Sequence, residues 1–346
     1  MSKLDIKSMT LDELQTECKT MGLPKFRAGQ IYSWLHQKHA ESFDEMTNLS
    51  KDLRAKLAER YEIKNVRILE KYVSKLDGTI KYLYELNDGE TIESVLMKYK
   101  YGYSVCVSSQ VGCNMKCRFC ASTIDGCLRS LTASEILSQV YKAARDTGER
   151  ISHVVLMGMG EPLVNYDNVI RFLDILTDEK GENLSARHIS ISTCGIVPRI
   201  YDLIDTHPQF TLSVSLHAPN DEIRSQIMPV NRRWNVEELL KACRTYTETT
   251  SRRISFEYAM MAGVNDSDAC AYELASKLKG MLCHVNLIPA NEVRENDYES
   301  SSQERLRAFS RILESRGITT TIRRTLGPDI NASCGQLRRK HEKENA

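Results

Sequence analysis

The sequence predicts an α/β protein: a parallel sheet closing toward a full or partial barrel, preceded by a small helical module and a β meander. Three patterns predict it. From residue 104 onward, short apolar runs alternate with amphipathic helical stretches, and right-handed crossovers between such units build a parallel sheet. Residues 66–97 read as strands, with Asp77-Gly78 and Asp88-Gly89 as turn dipeptides. The segment before them, to about Arg60, reads as helices.

Each element has a local reason. Thr10-Leu11-Asp12-Glu13 has capping-box spacing, and Phe26, Ile31 and Leu35 recur at helical intervals. Ile80-Lys81-Tyr82-Leu83-Tyr84 is a strand-like run. The predicted barrel strands are 104–108, 153–157, 188–192, 211–216, 254–258, 284–288 and 319–322. Helical patterns between them include 133–144, 236–247, 269–279 and 303–314, and Thr132-Ala133-Ser134-Glu135 opens the first with a second capping box. The expected division is a helical accessory domain over 1–62, a meander linker over 63–100, a barrel over 101–325, and a C-terminal loop with basic tail over 326–346.

The 346 residues suffice for one large domain and a small one. No apolar run is long enough to span a bilayer, and Met1-Ser2-Lys3-Leu4-Asp5 lacks the apolar core of a signal peptide. The expected location is the cytoplasm, with no membrane partner. A net charge of +1 neither requires nor excludes a nucleic-acid partner. Arg316, Arg323, Arg324, Arg338, Arg339, Lys340 and Lys343 cluster near the C-terminus and on charge alone read as a solvated tail. The 11 cysteines, an odd number, argue against a pure disulfide framework and for metal binding, chemistry or packing.

The central motif is Cys113-Asn114-Met115-Lys116-Cys117-Arg118-Phe119-Cys120, directly after the first barrel strand. Barrel chemistry sits at such strand C-terminal ends. Three thiolates this close can hold three irons of a cubane and leave the fourth without a protein ligand. Clusters that only carry electrons normally have four protein ligands, so an open corner marks a place for a substrate or cofactor. The alternative is a structural zinc site, for which Cys127 would be the nearest further cysteine.

This run is the signature of the radical S-adenosylmethionine (SAM) superfamily, and more of the chain resembles one branch of it. Cys106-Val107-Ser108-Ser109-Gln110-Val111-Gly112-Cys113, Gly158-Met159-Gly160-Glu161-Pro162, Ser215-Leu216-His217-Ala218-Pro219-Asn220, His284-Val285-Asn286-Leu287-Ile288-Pro289 and Ala332-Ser333-Cys334-Gly335-Gln336-Leu337 resemble the RlmN/Cfr family of RNA adenosine methyltransferases. The resemblance implies a partial (β/α)6 barrel, a [4Fe–4S] cluster on Cys113, Cys117 and Cys120, and two SAM molecules per turnover. It implies SAM contacts at Gly160, Glu161, Ser192, Ser215, Leu216, His217 and Asn291. Cys334 would carry a methyl group from the first SAM, and a radical made from the second would activate it for addition to adenine. Glu93 would be the base, and Cys106 would release the product through a transient disulfide. C2 of adenine offers no lone pair, which explains why a radical and a protein-borne methyl carrier are both needed. The implied partners are 23S rRNA and tRNA, with flavodoxin or ferredoxin as electron donor. C8 methylation, associated with ribosomal antibiotic resistance, is the alternative outcome of the same residues.

Residue pattern alone gives blander readings. Glu93 reads as a solvent-facing strand residue, and His217 as a satisfied structural histidine. Cys106 and Cys334 read as packing cysteines, as do Cys18, Cys127, Cys194, Cys243, Cys270 and Cys283. Gly327-Pro328 and Gly335 around Cys334 predict a mobile loop. Asn331 stands where the family's pattern has Asp. Lys25 and Arg27 are candidates for phosphate contacts, and an adenine entering a barrel must be flipped from its stack.

Overall fold

The computed structural model describes residues 3–291, 297–333 and 335–337. The N-terminal module comprises β1 (Leu4–Asp5), α1 (Leu11–Thr20), α2 (Phe26–His36), α3 (Lys51–Arg60) and β2 (Tyr61–Glu62), with β1 and β2 parallel. At α1 the capping box forms in both directions between Thr10 and Glu13. Helix α2 buries Ile31 and Leu35, but Phe26 in its first turn is 59% exposed, so the expected apolar triple is a buried pair.

The meander is β3 (Arg67–Val73), β4 (Ile80–Glu85) and β5 (Thr91–Tyr99), turning at Asp77-Gly78 and Asp88-Gly89 as expected. It does not stand apart as a spacer. Strand β5 pairs antiparallel with β6 (Gly102–Cys106), placing Val95 opposite Cys106, so meander and barrel share one ten-stranded sheet. A small ribbon follows, β7 (Gln110–Gly112) with β8 (Cys127–Ser130). Then helices and strands alternate: α4 (Ala133–Thr147), β9 (Ile151–Leu156), α5 (Tyr166–Thr177), β10 (Ile189–Thr193), α6 (Val197–Thr206), β11 (Thr211–Ser215), α7 (Asp221–Ile227), α8 (Val236–Thr250), β12 (Ile254–Met260), α9 (Asp268–Leu278), β13 (Cys283–Pro289), α10 (Gln303–Ser315) and β14 (Thr319–Ile322). Strands β6 and β9 to β14 run parallel, each beside the next.

Period-two alternation divides the two faces. One face carries Val154, Leu156, Ile189, Ile191, Leu212, Val214, Val285 and Leu287, all buried in a continuous core with apolar residues of the surrounding helices. The other face is polar. Register sets Ser192 beside Ser213, Ser215 beside Glu257, Glu257 beside Asn286, and Asn286 beside Thr321. A lumen of branched apolar side chains would pack shut; in this one hydroxyls, amides and a carboxylate stand among apolar residues such as Met157, Ala259 and Ile288.

The N-terminal module docks on α4. His36 and Tyr141 share a hydrogen bond of 3.0 Å, and Lys142 pairs with Glu41 at 2.7 Å. Lys7 donates to Ser138 at 2.9 Å and to Asn65. Burial pushes the Lys7 ammonium down to about 7, against the pull of Asp5 and Glu41. Its ordinary value is 10.5. The unfolded chain therefore holds the proton more tightly, and the cost of burying Lys7 is full below pH 7 and fades as the pH rises from about 7 toward 10.5. Lys7→Met should be more stable than the parent near neutral pH. That advantage should shrink by up to about 1.4 kcal/mol per pH unit above this point. Urea denaturation of both proteins across that range measures the difference, and a pH-independent gap would refute the assignment.

Candidate active site

The cysteine run spans the loop between β7 and β8. Gly112 permits it: at φ +79°, a Cβ there would lie 1.9 Å from the carbonyl oxygen of Gly126. The Cys113 N–H donates to that same oxygen at 3.0 Å. Lys116 adopts a left-handed φ of +58°, and Cys113, Cys117 and Cys120 all line one cavity. Burial pushes the Cys113 thiol up to about 12 and drives Cys117 well upward too. Both therefore remain protonated until a metal displaces the proton. Cys127 is absent from the cavity wall, and its thiol donates to the carbonyl of Arg129 at 3.7 Å.

The cavity lies at the C-terminal ends of β9 to β13 and encloses about 1040 Å³ of empty space, part of it open to solvent. Gly160, Glu161, Ser192, Ser215, His217 and Asn291 all line it with the three cysteines. Leu216 does not; its buried backbone instead donates to the carbonyl of Glu257 at 3.1 Å. A side chain at Gly160, φ +99°, would collide with Gln110. Both carboxylate oxygens of Glu161 accept backbone N–H bonds, from Leu163 at 3.0 Å and Cys194 at 2.7 Å, tying the turn after β9 to that after β10. Burial raises the Glu161 carboxyl, and these bonds oppose the rise.

His217 sits at φ +56° with its Nδ1 accepting the Ala259 N–H at 2.8 Å. Burial first, then the Arg224 guanidinium, hold its imidazole down to about 3. The ring is neutral at physiological pH, and the accepting Nδ1 puts the proton on Nε2.

Glu93 overturns its pattern-based reading. It is 2% exposed, in a strand covered on both faces, with its carboxylate 3.2 Å from Lys81 Nζ. The Ser108 hydroxyl donates to the Glu93 carbonyl at 2.6 Å and accepts the Met159 N–H at 2.9 Å, joining this strand to the Gly158–Pro162 turn. Cys106 is buried at the end of β6, opposite Val95, and is not part of the cavity wall. Cys334 lies outside the described residues, and the segments flanking it are hydrogen-bonded to the rest of the protein on both sides. On one side Ser74 and the Lys75 N–H donate to the Asp329 carboxylate at 2.7 and 3.0 Å. The Gly327 N–H donates to Asp77 at 2.9 Å, and Lys81 donates to the Asn331 carbonyl at 3.4 Å. On the other side the carbonyls of Gly335 and Leu337 accept from the Ala121 N–H and the Ser122 hydroxyl at 2.8 and 2.6 Å. Asn331 has φ +49°, a conformation that Asn and Asp both tolerate, so the departure from the family's Asp preserves the turn.

Comparison with known proteins converges on the same branch. Residues 107–274 match the Radical SAM superfamily, and residues 4–63 match the ribosomal RNA large subunit methyltransferase N-terminal domain. A protein of Lachnospira eligens named "probable dual-specificity RNA methyltransferase RlmN" is 54% identical over 97% of this chain and 96% of its own length. One of the same name from Clostridium novyi is 53% identical over 99% of both. The chain belongs to the RlmN family of radical SAM RNA methyltransferases. A crystal structure of a radical SAM methyltransferase from Sphaerobacter thermophilus superposes on this RlmN-family chain with a TM-score of 0.93, at 46% identity, covering 96% of this chain and 99% of that one.

Radical SAM enzymes use a [4Fe–4S] cluster and SAM, and the residues of this RlmN-family site fit both. Cys113, Cys117 and Cys120 all line the same cavity, the set of three thiols that three irons of one cluster need. Cys194, Glu257 and Arg323 also line the cavity and escaped the sequence reading. Cys194 stands just past the C-terminal end of β10, next to the predicted contact Ser192, a signal that was available, whereas Glu257 lies mid-strand in β12 and joins the site by its register beside Ser215. Arg323 lies 3.7 Å from Glu257, so this part of the basic run belongs to the barrel mouth and not to a solvated tail. Arg338, Arg339, Lys340 and Lys343 lie outside the described residues.

Reconstituted without oxygen, the protein should be brown and bind about four irons per chain. Cys117→Ala should lose the cluster and all cleavage of SAM to 5′-deoxyadenosine. Undiminished 5′-deoxyadenosine from that variant would sink the ligand assignment.

Proposed function

We propose that this enzyme methylates C2 of an adenosine in the peptidyl-transferase region of 23S rRNA and of one beside the tRNA anticodon, using Cys334 as methyl carrier. The observation that supports this most directly is Lys81, whose ammonium reaches both the Glu93 carboxylate and the loop leading to Cys334. One residue thus links the proposed base to the segment that leads to the proposed carrier, although neither Lys81 nor Glu93 lines the cavity that holds the three cysteines.

Cys113, Cys117 and Cys120 hold the cluster, and Gly160, Glu161, Ser192, Ser215, Leu216, His217 and Asn291 seat SAM. When bound, the cluster supplies the electron that cleaves one SAM to a 5′-deoxyadenosyl radical, while a second SAM serves as methyl donor. The Cys334 thiolate accepts the methyl group by displacement. Once the S-methyl carbon of Cys334 has lost a hydrogen atom and bonded to C2, the adduct radical must lose one electron, which the oxidised cluster would take back, and Glu93, held in place by its pair with Lys81, removes the C2 proton. The Cys106 thiolate then attacks the Cys334 sulfur and breaks its bond to the methylene carbon; that carbon takes a proton, the methylated RNA leaves, and the disulfide that remains is reduced by an external thiol. None of the ten described cysteines forms a disulfide with another described one.

Residues 1–62 serve as the RNA-binding accessory domain, 63–100 as the segment presenting Glu93, 101–325 as the barrel, and 326–346 as the carrier loop and tail. Lys25 is exposed, and Arg27 stacks at 4.9 Å over the exposed Phe26 ring, an arrangement suited to phosphate and base contacts. Flavodoxin or ferredoxin delivers the electron, and the reaction runs in the cytoplasm. Among the described residues no helix is long and apolar enough to cross a membrane.

Nuclease digestion of RNA from the reaction should yield 2-methyladenosine; 8-methyladenosine as the main product would assign the chain to C8 chemistry. The two outlying cysteines should separate cleanly. Cys334→Ala should form neither product nor adduct. Cys106→Ala should still attack adenine and stall as a covalent protein–RNA complex that survives denaturing electrophoresis. Intact SAM cleavage in Cys106→Ala without that complex would rule out the two-cysteine scheme.

A further inference from the structure

Arg224 takes no part in the scheme above, yet its side chain is 0% exposed beside the cavity. It lies on α7, and its guanidinium donates in four directions. Nε bonds the Leu216 carbonyl at 3.1 Å, and one terminal nitrogen bonds Asn231 Oδ1 at 3.0 Å. The other bonds the carbonyls of Cys194 at 2.6 Å and Ser215 at 3.1 Å. One side chain therefore holds together the turns after β10 and β11, which carry several of the proposed SAM contacts. All four acceptors are neutral oxygens. The neighbouring carboxylate, Asp221, is reached only through Asn231, which donates to it at 2.9 Å.

A buried cation served only by neutral groups is costly, and a neutral donor could bridge these carbonyls more cheaply. The position beside Arg224 supplies a reason for a charge. Arg118, between two cluster cysteines, donates its N–H to the Ile227 carbonyl at the end of α7, at 2.9 Å. Cys117, Cys194, Ile227 and Met228 pack in one apolar cluster, with Ile223 of α7 against it. The Cys194 carbonyl that Arg224 holds thus belongs to a residue packed in the same apolar cluster as Cys117. Three thiolates around a [4Fe–4S] core make the assembly net negative, more so after it takes an electron.

We propose that Arg224 is a positioning residue whose fixed positive charge, anchored on the turns after β10 and β11, is the counter-ion that eases reduction of the cluster held by Cys113, Cys117 and Cys120. The inference rests on membership of the radical SAM superfamily and not on the identity of the RNA product. The hydrogen bonds of Arg224 all go to groups of the protein itself, which fix the charge in place.

The experiment compares Arg224→Gln and Arg224→Lys with the parent, each reconstituted anaerobically and assayed for iron. The midpoint potential comes from an EPR-monitored redox titration without SAM, and the SAM Kd from the change that SAM causes in the cluster's EPR signal. Arg224→Gln should give a more negative potential. Arg224→Lys keeps the charge but loses the planar fork, so its potential should stay near that of the parent while its SAM Kd rises about tenfold or more. An unchanged potential in Arg224→Gln at full cluster occupancy would overturn the proposal. If Arg224→Gln holds no cluster, thermal unfolding of the metal-free proteins decides. A metal-free Arg224→Gln as stable as the parent, with Arg224→Lys retaining its cluster, supports the counter-ion. Matching loss of stability and cluster in both variants reduces Arg224 to a structural clamp and refutes it.

Discussion

The antiparallel ladder between β5 and β6 is the constraint on which the rest of the site depends. Five residue pairs, from Val95 opposite Cys106 to Tyr99 opposite Gly102, join the meander to the barrel. Pairing in a sheet is all or nothing at the level of register: a slip by one residue would exchange the faces of every side chain on β5. The meander would shift as a unit, carrying the Glu93–Lys81 pair and the β3–β4 turn that grips residues 327 to 331 away from the barrel residues they now meet. The ladder also explains why Glu93 is buried. Both faces of β5 are covered, so there is no solvent side for a charged residue to find, and an ammonium must be supplied on the adjacent strand.

The parallel part of the sheet meets the opposite demand. Its helix-covered face is apolar and packs as a core. Its other face is assembled from serine, threonine, asparagine and glutamate side chains that bond to one another, as Asn286 does with Glu257 at 2.9 Å. Such a face cannot close into dry packing, and a ring of small hydroxyl residues leaves room. Cofactor space is thus specified by the same alternation that makes the core. The left-handed backbone at His217 then turns a neutral imidazole into the wall, fixed by one hydrogen bond to Ala259.

Most of the architecture was legible because it is local. Strand–helix rhythm, the capping boxes at Thr10 and Thr132 and the turn dipeptides of the meander all report on neighbouring residues, and all formed where expected. The three cysteines were legible for the same reason. What failed depended on distant partners. The pattern around Glu93 could not reveal that β5 is covered on both sides. The glycines around Cys334 could not reveal that its flanks bond to Ser74, Asp77 and Lys81 on one side and to Ala121 and Ser122 on the other. Arg323 reads as one more charge in a basic run until β13 and β14 carry it to Glu257. The buried charge of Arg224 has no sequence signature, since arginine in a short polar helix reads as exposed.

The grip of the β3–β4 turn on residues 327 to 331 spans some 250 positions of chain: Gly327 to Asp77, Asn331 to Lys81. Contacts of such long sequence separation pay their loop-closure cost last and form late. During vectorial synthesis, the barrel strands and the cysteine loop are all outside the exit tunnel before the final segment exists to dock. With Cys334 as the proposed carrier, a nascent chain can thus bury its core and shape its cofactor cavity before the segment that bears the carrier has docked.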